Sequence, residues 1–360
     1  MADLTLRQLL EDMVQRRASD LHVTAGVPPE LRVDGSITPT EYEVLTPEKC
    51  AGLAYSVLSD EQRKRFETTK ELDFSFGVKG LSRFRANVFL QRGVVSMAIR
   101  QIPYEILAME KLGLPPIVRE FTNRQKGLVL ITGPTGSGKS TTLAAMLDKI
   151  NATRQSHIMT IEDPIEYIHH HKKCIVNQRE IGADTDSFPT ALKYVLRQDP
   201  DIILIGEMRD LETIEAALTI AETGHLVFAT LHTNSTYEAV NRIVDVFPSD
   251  QQKQILTQLA FTLEGVMTQQ LIPRSRATGR IMCAEVLVCT PAIKAVIREG
   301  KVHQIYSLMQ AGQKFGMQTM NQALLQAVLD KQLSSEDALD RSTDRVELEG
   351  MLQKVLRAAA

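Results

Sequence analysis

The sequence predicts an α/β protein in two parts: an α+β domain over 1–102, then a doubly wound parallel sheet over 117–360 whose last part, from about 250, is helical. Three observations predict it. Strand and helix patterns alternate regularly from residue 126. A glycine-rich loop, "GPTGSGKS", joins one of those strands to its helix. Before Pro103, two helical stretches, two short alternating strands and a run of strands over 71–102 instead suggest a small α+β domain.

In chain order, residues 5–17 have helical spacing, with Leu6, Leu9, Leu10, Met13 and Val14 on one face. "SDLHVTAGVPPELRVDGSI" reads as two short strands around a Gly26-Val27-Pro28-Pro29 turn. Thr46-Pro47-Glu48 carries the cap residue and first-turn proline that open a helix. "ELDFSFGV", "SRFRANVFLQ" and "VVSMAIRQI" are strands. Residues 103–116, holding Pro103, Gly113, Pro115 and Pro116, break both periods and read as an interdomain linker.

From 126 the strands are "KGLVLITG", "HIMTIED", "DIILIGE" and "HLVFATLHT", alternating with helices over 139–150, 187–198, 210–222 and 235–245. Parallel strands joined this way require right-handed crossovers. From about 250 the pattern is mostly helical, with one strand, "RIMCAEVLV".

Composition narrows the function classes. At 360 residues, with 43% hydrophobic and 24% charged residues, each part is large enough to bury its own core. No apolar run approaches the roughly 20 residues of a membrane span. The start, "MADLTLRQLLEDMVQRR", sets acids inside its apolar pattern and has no small-residue cleavage site, so no targeting peptide and a cytoplasmic chain are expected. Cys50, Cys174, Cys283 and Cys289 form no Cys-x-x-Cys pair, which argues against a structural zinc site or a disulfide scaffold. A net charge of −3, no tryptophan and 5% aromatic residues fit poorly with a nucleic-acid partner, and none is expected.

The loop Gly133-Pro134-Thr135-Gly136-Ser137-Gly138-Lys139-Ser140-Thr141 carries the chemistry. Its glycines let backbone N–H groups curl around phosphate oxygens, and the helix N-terminus adds partial positive charge. Lys139 is placed to reach the β- and γ-phosphates of a nucleoside triphosphate and Ser140 to ligate Mg²⁺. Ligands of such sheets sit at the C-terminal strand ends. Glu207 closes "DIILIGE" and is expected to orient or deprotonate the attacking water. Gly206 stands where an aspartate commonly supports Mg²⁺, so another carboxylate is needed; Glu162, Asp163 and Glu166 of "TIEDPIEY" are the candidates, with Glu162 and Glu207 acting on the metal directly or through water. His225 and His232 bracket the following strand. Seven residues apart, they fall on opposite faces of a regular strand, poor geometry for a shared metal, so a hydrogen-bonding role near the γ-phosphate or a neighbouring subunit is expected of them. The run His169–His171 is expected at the surface of a turn, with no role.

Taken in order, the phosphate loop, "TIEDPIEY", "LIGEMRD" and "GHLVFATLHTNS" resemble the Walker A, Asp-box, Walker B and His-box motifs of the secretion ATPase superfamily, hexameric motors of type II and type IV secretion and of type IV pili. That family carries a Walker B of this Gly-Glu form. The resemblance covers nearly the whole chain: "ASDLH" and "RFRANVF" look like its N-terminal PAS-like domain, which implies a RecA-like P-loop ATPase core behind it. "PAIKAVIREGK", 291–301, is similar to the Ala-Ile-Arg-Asn-Leu-Ile-Arg-Glu signature of the pilus retraction branch, departing at Lys294, Ala295 and Val296; "MQAGQKFGMQTMNQALL" resembles that branch's C-terminal region. Extension and type II secretion members usually carry a longer N-terminal region and a tetracysteine zinc site, and neither is expected here.

The resemblance implies ATP hydrolysis with Mg²⁺ in a homohexamer. It implies retraction of type IV pili, by depolymerising pilin, at the cytoplasmic face of the inner membrane, where the ring would sit peripherally on a platform protein, contacted through 291–301. It also matches Arg85 and Arg100 to N-domain arginines that approach the γ-phosphate; Arg83 shares a face with Arg85, and Arg197 and Arg209 are candidates for the subunit boundary. The residues alone leave open a pilus extension or type II secretion ATPase, and a nucleic-acid-translocating ring.

Overall fold

The structure, a computed structural model, describes residues 4–33, 35–102, 105–275 and 279–359, with side chains to 355. The chain forms two compact units, 1–105 with 166–168, and 106–165 with 169–360.

The first unit is built on an antiparallel six-stranded sheet of β1 (Asp20–Val23), β2 (Glu30–Val33), β3 (Ser36–Pro39), β4 (Glu71–Val78), β5 (Ser82–Gln91) and β6 (Val94–Ile102), in the order β3-β2-β1-β6-β5-β4. Alternation decides its faces. Phe84, Ala86 and Val88 of β5 point into a core shared with Leu21, Val23, Met97 and Ile99, and the helix Leu6–Gln15 adds Leu9, Leu10 and Met13. Arg83, Arg85 and Asn87 take the other face.

The second unit holds β7 (Gly127–Thr132), β8 (His157–Glu162), β9 (Ile175–Glu180), β10 (Ile202–Ile205), β11 (Leu226–Leu231), β12 (Leu263–Pro273) and β13 (Arg280–Val288), in the order β13-β12-β7-β11-β10-β8-β9. All pairings are parallel except β12–β13. β7, β10 and β11 are buried at every position, as expected of strands covered on both faces. The helices Lys139–Thr153, Phe188–Val195, Leu211–Glu222 and Thr236–Asp245 follow their strands where the pattern places them. Of the stretch expected as a linker, Pro103 and Tyr104 lie outside the described residues. From Ile106 on it packs onto this unit's core, with Met109 buried and Ile106, Leu112 and Leu114 against it.

Three strands were not anticipated. β3, exposed at all four positions, pairs with β2 at the edge of the first sheet. β9 is a short edge strand with weak alternation. β12 lies where helix was expected; its polar Thr268 and Gln269 are buried, so no apolar run or clean alternation announced an interior strand. The region after 250 is thus a helix, Gln252–Thr262, a long β-hairpin, two helices (Pro291–Arg298 and Ile305–Ala311) packed on the main core, and then helices around a separate small core that includes Met320, Leu324 and Leu348.

Candidate active site

β7, β11, β10 and β8 are successive neighbours running parallel, so their C-terminal tips lie along one edge. In that order the tips carry the phosphate loop, His232, Gly206-Glu207 and Glu162-Asp163.

The loop leaves β7 at Thr132. Gly133, Gly136 and Gly138 have φ of 138°, 78° and 89°, values that only glycine adopts without strain. Gly138 is the N-cap of the helix Lys139–Thr153 and offers no side-chain acceptor, so the first N–H groups of the helix are left for a ligand. Lys139 reaches back across the loop, donating from Nζ to the carbonyls of Gly133 (2.8 Å) and Pro134 (3.1 Å). Pro134, Thr135 and Gly136 are exposed, whereas Ser137 is buried and Ser140 and Thr141 are half-buried at the helix start.

The glycine at 206 sits in a close approach: a Cβ there would stand 3.2 Å from both the Glu162 Cα and the Ile161 carbonyl, tighter than ordinary contact. The tip of β8 carries Glu162. The Glu162 side chain is 9% exposed and accepts hydrogen bonds from the Thr160 hydroxyl (2.6 Å) and the Gln178 amide (3.1 Å). Asp163, next to it, is exposed. Glu166 is exposed and belongs to the other unit.

Glu207 accepts from Arg209 Nε at 2.5 Å, and His232 Nε2 lies 3.1 Å from the same oxygen. Burial alone pushes the Glu207 carboxyl up, but the Arg209 hydrogen bond and the charges of His232 and Arg209 outweigh it and hold the group below its ordinary value. An ionised carboxylate therefore stands on the loop's side of the sheet, tethered by two side chains. Glu285 of β13, 1% exposed, accepts from the amide and hydroxyl of Thr236 (2.7 and 2.8 Å), anchoring the helix that follows the His232 segment.

Two histidine expectations are corrected. His225 precedes β11, and His232 follows it. Six residues at ~3.3 Å each separate them by about 20 Å, which puts His225 at the opposite edge of the sheet from the phosphate loop of its own chain. There its Nδ1 meets the Thr223 hydroxyl (3.1 Å) and the Ile220 carbonyl (3.2 Å). His169 is not at the surface: it is 8% exposed, and burial lowers its imidazole to about 4. Its amide donates to Gln178 Oε1 (2.8 Å), and buried Asn151 holds the His170 carbonyl (2.7 Å), so the turn is drawn onto β9.

On the polar face of the first unit a cross-strand row runs Arg32, Asp20, Arg100, Arg85 over β2, β1, β6 and β5. Asp20 accepts from Arg100 Nε at 2.8 Å and lies 3.7 Å from Arg32. Among the described residues, Arg85, directly opposite Arg100, has a loose pair with Asp73 at 3.8 Å. Two like charges facing each other across a ladder cost stability unless an anion joins them. Arg197 is in a 3₁₀ turn, its guanidinium 5.9 Å from the Tyr194 ring.

Among the described residues no group of three or more His, Cys, Asp or Glu is poised around a metal. Ser140, Glu162 and Glu207, the residues expected to hold Mg²⁺, all offer oxygen donors, the type that Mg²⁺ takes.

The family model for type II/IV secretion system proteins matches residues 2–343. The type IV pilus retraction ATPase PilT of Pseudomonas aeruginosa is 48% identical over 94% of this chain and 98% of its own length. A twitching motility protein of Neisseria gonorrhoeae is 44% identical over 91% of this chain and 89% of its own. A crystal structure of the pilus retraction motor PilT with bound ADP superposes with a TM-score of 0.91 at 52% identity, covering 96% of this chain and 99% of that one.

Proposed function

The chain belongs to the type II/IV secretion system protein family, and from that premise we propose that it is an ATP-hydrolysing motor that powers type IV pilus retraction and so twitching motility. The observation that carries the reading is the single edge on which the phosphate loop, His232, Glu207 and Glu162 follow one another.

The chemistry follows from that edge. Backbone N–H groups of 136–141 and the Lys139 ammonium hold the triphosphate. Lys139 exchanges its two loop carbonyls for phosphate oxygens, which a cation prefers. Mg²⁺ supplies charge neutralisation between the phosphates; Ser140 would ligate it, with Glu162 and Glu207 reaching it directly or through water and Asp163 at the rim. Glu207, held ionised, orients the attacking water and takes its proton. His232 keeps that carboxylate aimed.

A ring of six such subunits completes the site, with Arg85 and Arg100 of a neighbour meeting the charge that develops on the γ-phosphoryl group. The first unit is the PAS-like domain that carries them. Helix Pro291–Arg298, capped by Thr290 with Ile293 and Ile297 buried, presents the remainder of 291–301 to a platform protein at the cytoplasmic face of the inner membrane. Among the described residues no helix is long and apolar enough to cross a membrane.

Steady-state hydrolysis and calorimetry test the site. Lys139→Ala is expected to lose ATP binding, and Glu207→Gln to retain binding while hydrolysis falls about 10²–10⁴-fold. Normal turnover by either variant refutes the assignment. The direction of movement is read in cells: loss of the gene is expected to leave piliated, non-twitching cells, whereas bald cells would indicate an extension motor.

A further inference from the structure

Resting on the proposed nucleotide site, we propose that Gln269 of β12 is a positioning residue for the phosphate loop, fixing the curvature that turns the loop's amides toward phosphate. β12 pairs in parallel with β7, Thr268 opposite Thr132, and the two hydroxyls hydrogen-bond at 2.7 Å. The next residue, Gln269, therefore stands level with the point where β7 becomes the loop. Its side chain donates from Nε2 to the Ser137 carbonyl at 2.6 Å. The opposite amide assignment would set oxygen against oxygen, so this orientation is the one that bonds.

Gln269 also shapes the loop by contact. Its backbone carbonyl lies 2.4 Å from where a Cβ on Gly133 would stand, and its Nε2 lies 3.1 Å from the corresponding point on Gly138. One residue thus bears on both ends of the loop and on the carbonyl just before Gly138-Lys139. Tying that carbonyl back onto β12 turns the peptide plane, so that the following N–H groups face the anion.

Core packing alone does not account for an amide here. Gln269 is 1% exposed, and its Oε1 is buried with no hydrogen-bond partner among the described residues. An apolar side chain of the same length would fill the space without a stranded acceptor. The retained donor has one target, the phosphate loop, and its partner residue Ser137 likewise carries a buried hydroxyl with no partner among the described residues.

The test uses the full-length protein and two substitutions. Gln269→Met keeps length and removes the donor; Gln269→Asn keeps the amide and withdraws it by one methylene. Calorimetry with ADP and with ATPγS is expected to show affinity for both falling about tenfold or more in either variant. The KM for ATP should rise in step, while kcat at saturating ATP stays within about threefold and the thermal midpoint is nearly unmoved. Gln270→Leu, next along the strand, is expected to leave affinity unchanged. A folded Met or Asn variant that binds both nucleotides as wild type does overturns the inference while leaving the proposed function standing; if one substitution fails to fold, the other decides. Wild-type protein that binds neither nucleotide overturns the proposed function, and the inference with it.

Discussion

At the scale of single residues, the site is governed by which charges are held and by what. Glu207 keeps its charge against burial because Arg209 and His232 both bind it. Remove the Arg209 guanidinium and burial, which raises the carboxyl, is less opposed. Arg209→Ala is thus expected to shift the acid limb of the kcat profile to higher pH, read from turnover at saturating ATP; an unmoved limb would detach Arg209 from Glu207. His169 works in the other direction. Its imidazole titrates near 6.5 unfolded but at about 4 in the fold, because burial disfavours the cation. Between those values the unfolded chain binds the extra proton, so the stability contributed by neutral His169 is complete above 6.5 and is lost as pH falls toward 4, by at most ~1.4 kcal/mol per pH unit. Denaturation of His169→Gln from pH 7 to 4.5 should show a flatter decline than wild type.

At the scale of elements, the close approach of β10 to β8 is the contact on which the proposed role of Glu162 as the second acid turns. Gly206→Ala places a methyl group 3.2 Å from the Glu162 Cα, against a main chain already bonded from the Gly206 amide to the Ile161 carbonyl (2.8 Å). Overpacking of this kind costs about 1–3 kcal/mol. Gly206→Asp, which restores the commoner residue, is expected to lower the thermal midpoint further and to reduce hydrolysis; a gain in activity would show that Glu162 does not stand in for that aspartate. β12 illustrates the same point on the far side of the loop, where a neighbouring strand reaches the loop through buried polar side chains that hydrophobic pattern reading passes over.

At the scale of the whole molecule, the proposed role of a neighbour's arginines predicts that hydrolysis is a property of the assembly. Arg100→Ala and Lys139→Ala subunits should each form rings with little activity alone. Mixed, they are expected to recover a measurable fraction of wild-type ATPase, because some interfaces then join an intact phosphate loop to an intact arginine. No recovery on mixing, with mixed rings confirmed by native mass spectrometry, would place the arginines in cis or outside catalysis. The cross-strand row Arg32, Asp20, Arg100, Arg85 suits this role, since one carboxylate holds two of the three guanidinium groups and leaves Arg85 nearly uncommitted.

Much of this protein is legible in its sequence. The βα alternation, the phosphate loop and the strand-end acids depend on neighbours within a few residues, and local spacing encodes them directly. Helix boundaries in the core follow for the same reason, because caps and first-turn prolines are local signals. Relations between residues far apart in the chain were decided only by the tertiary structure. It set His225 and His232 at opposite ends of one strand, buried His169 against β9, and brought Gln269 to Ser137 across 132 positions of sequence. In each case a long-range pairing chose the partner, and the free energy of burying a polar group depends on that partner, which no short window of residues contains.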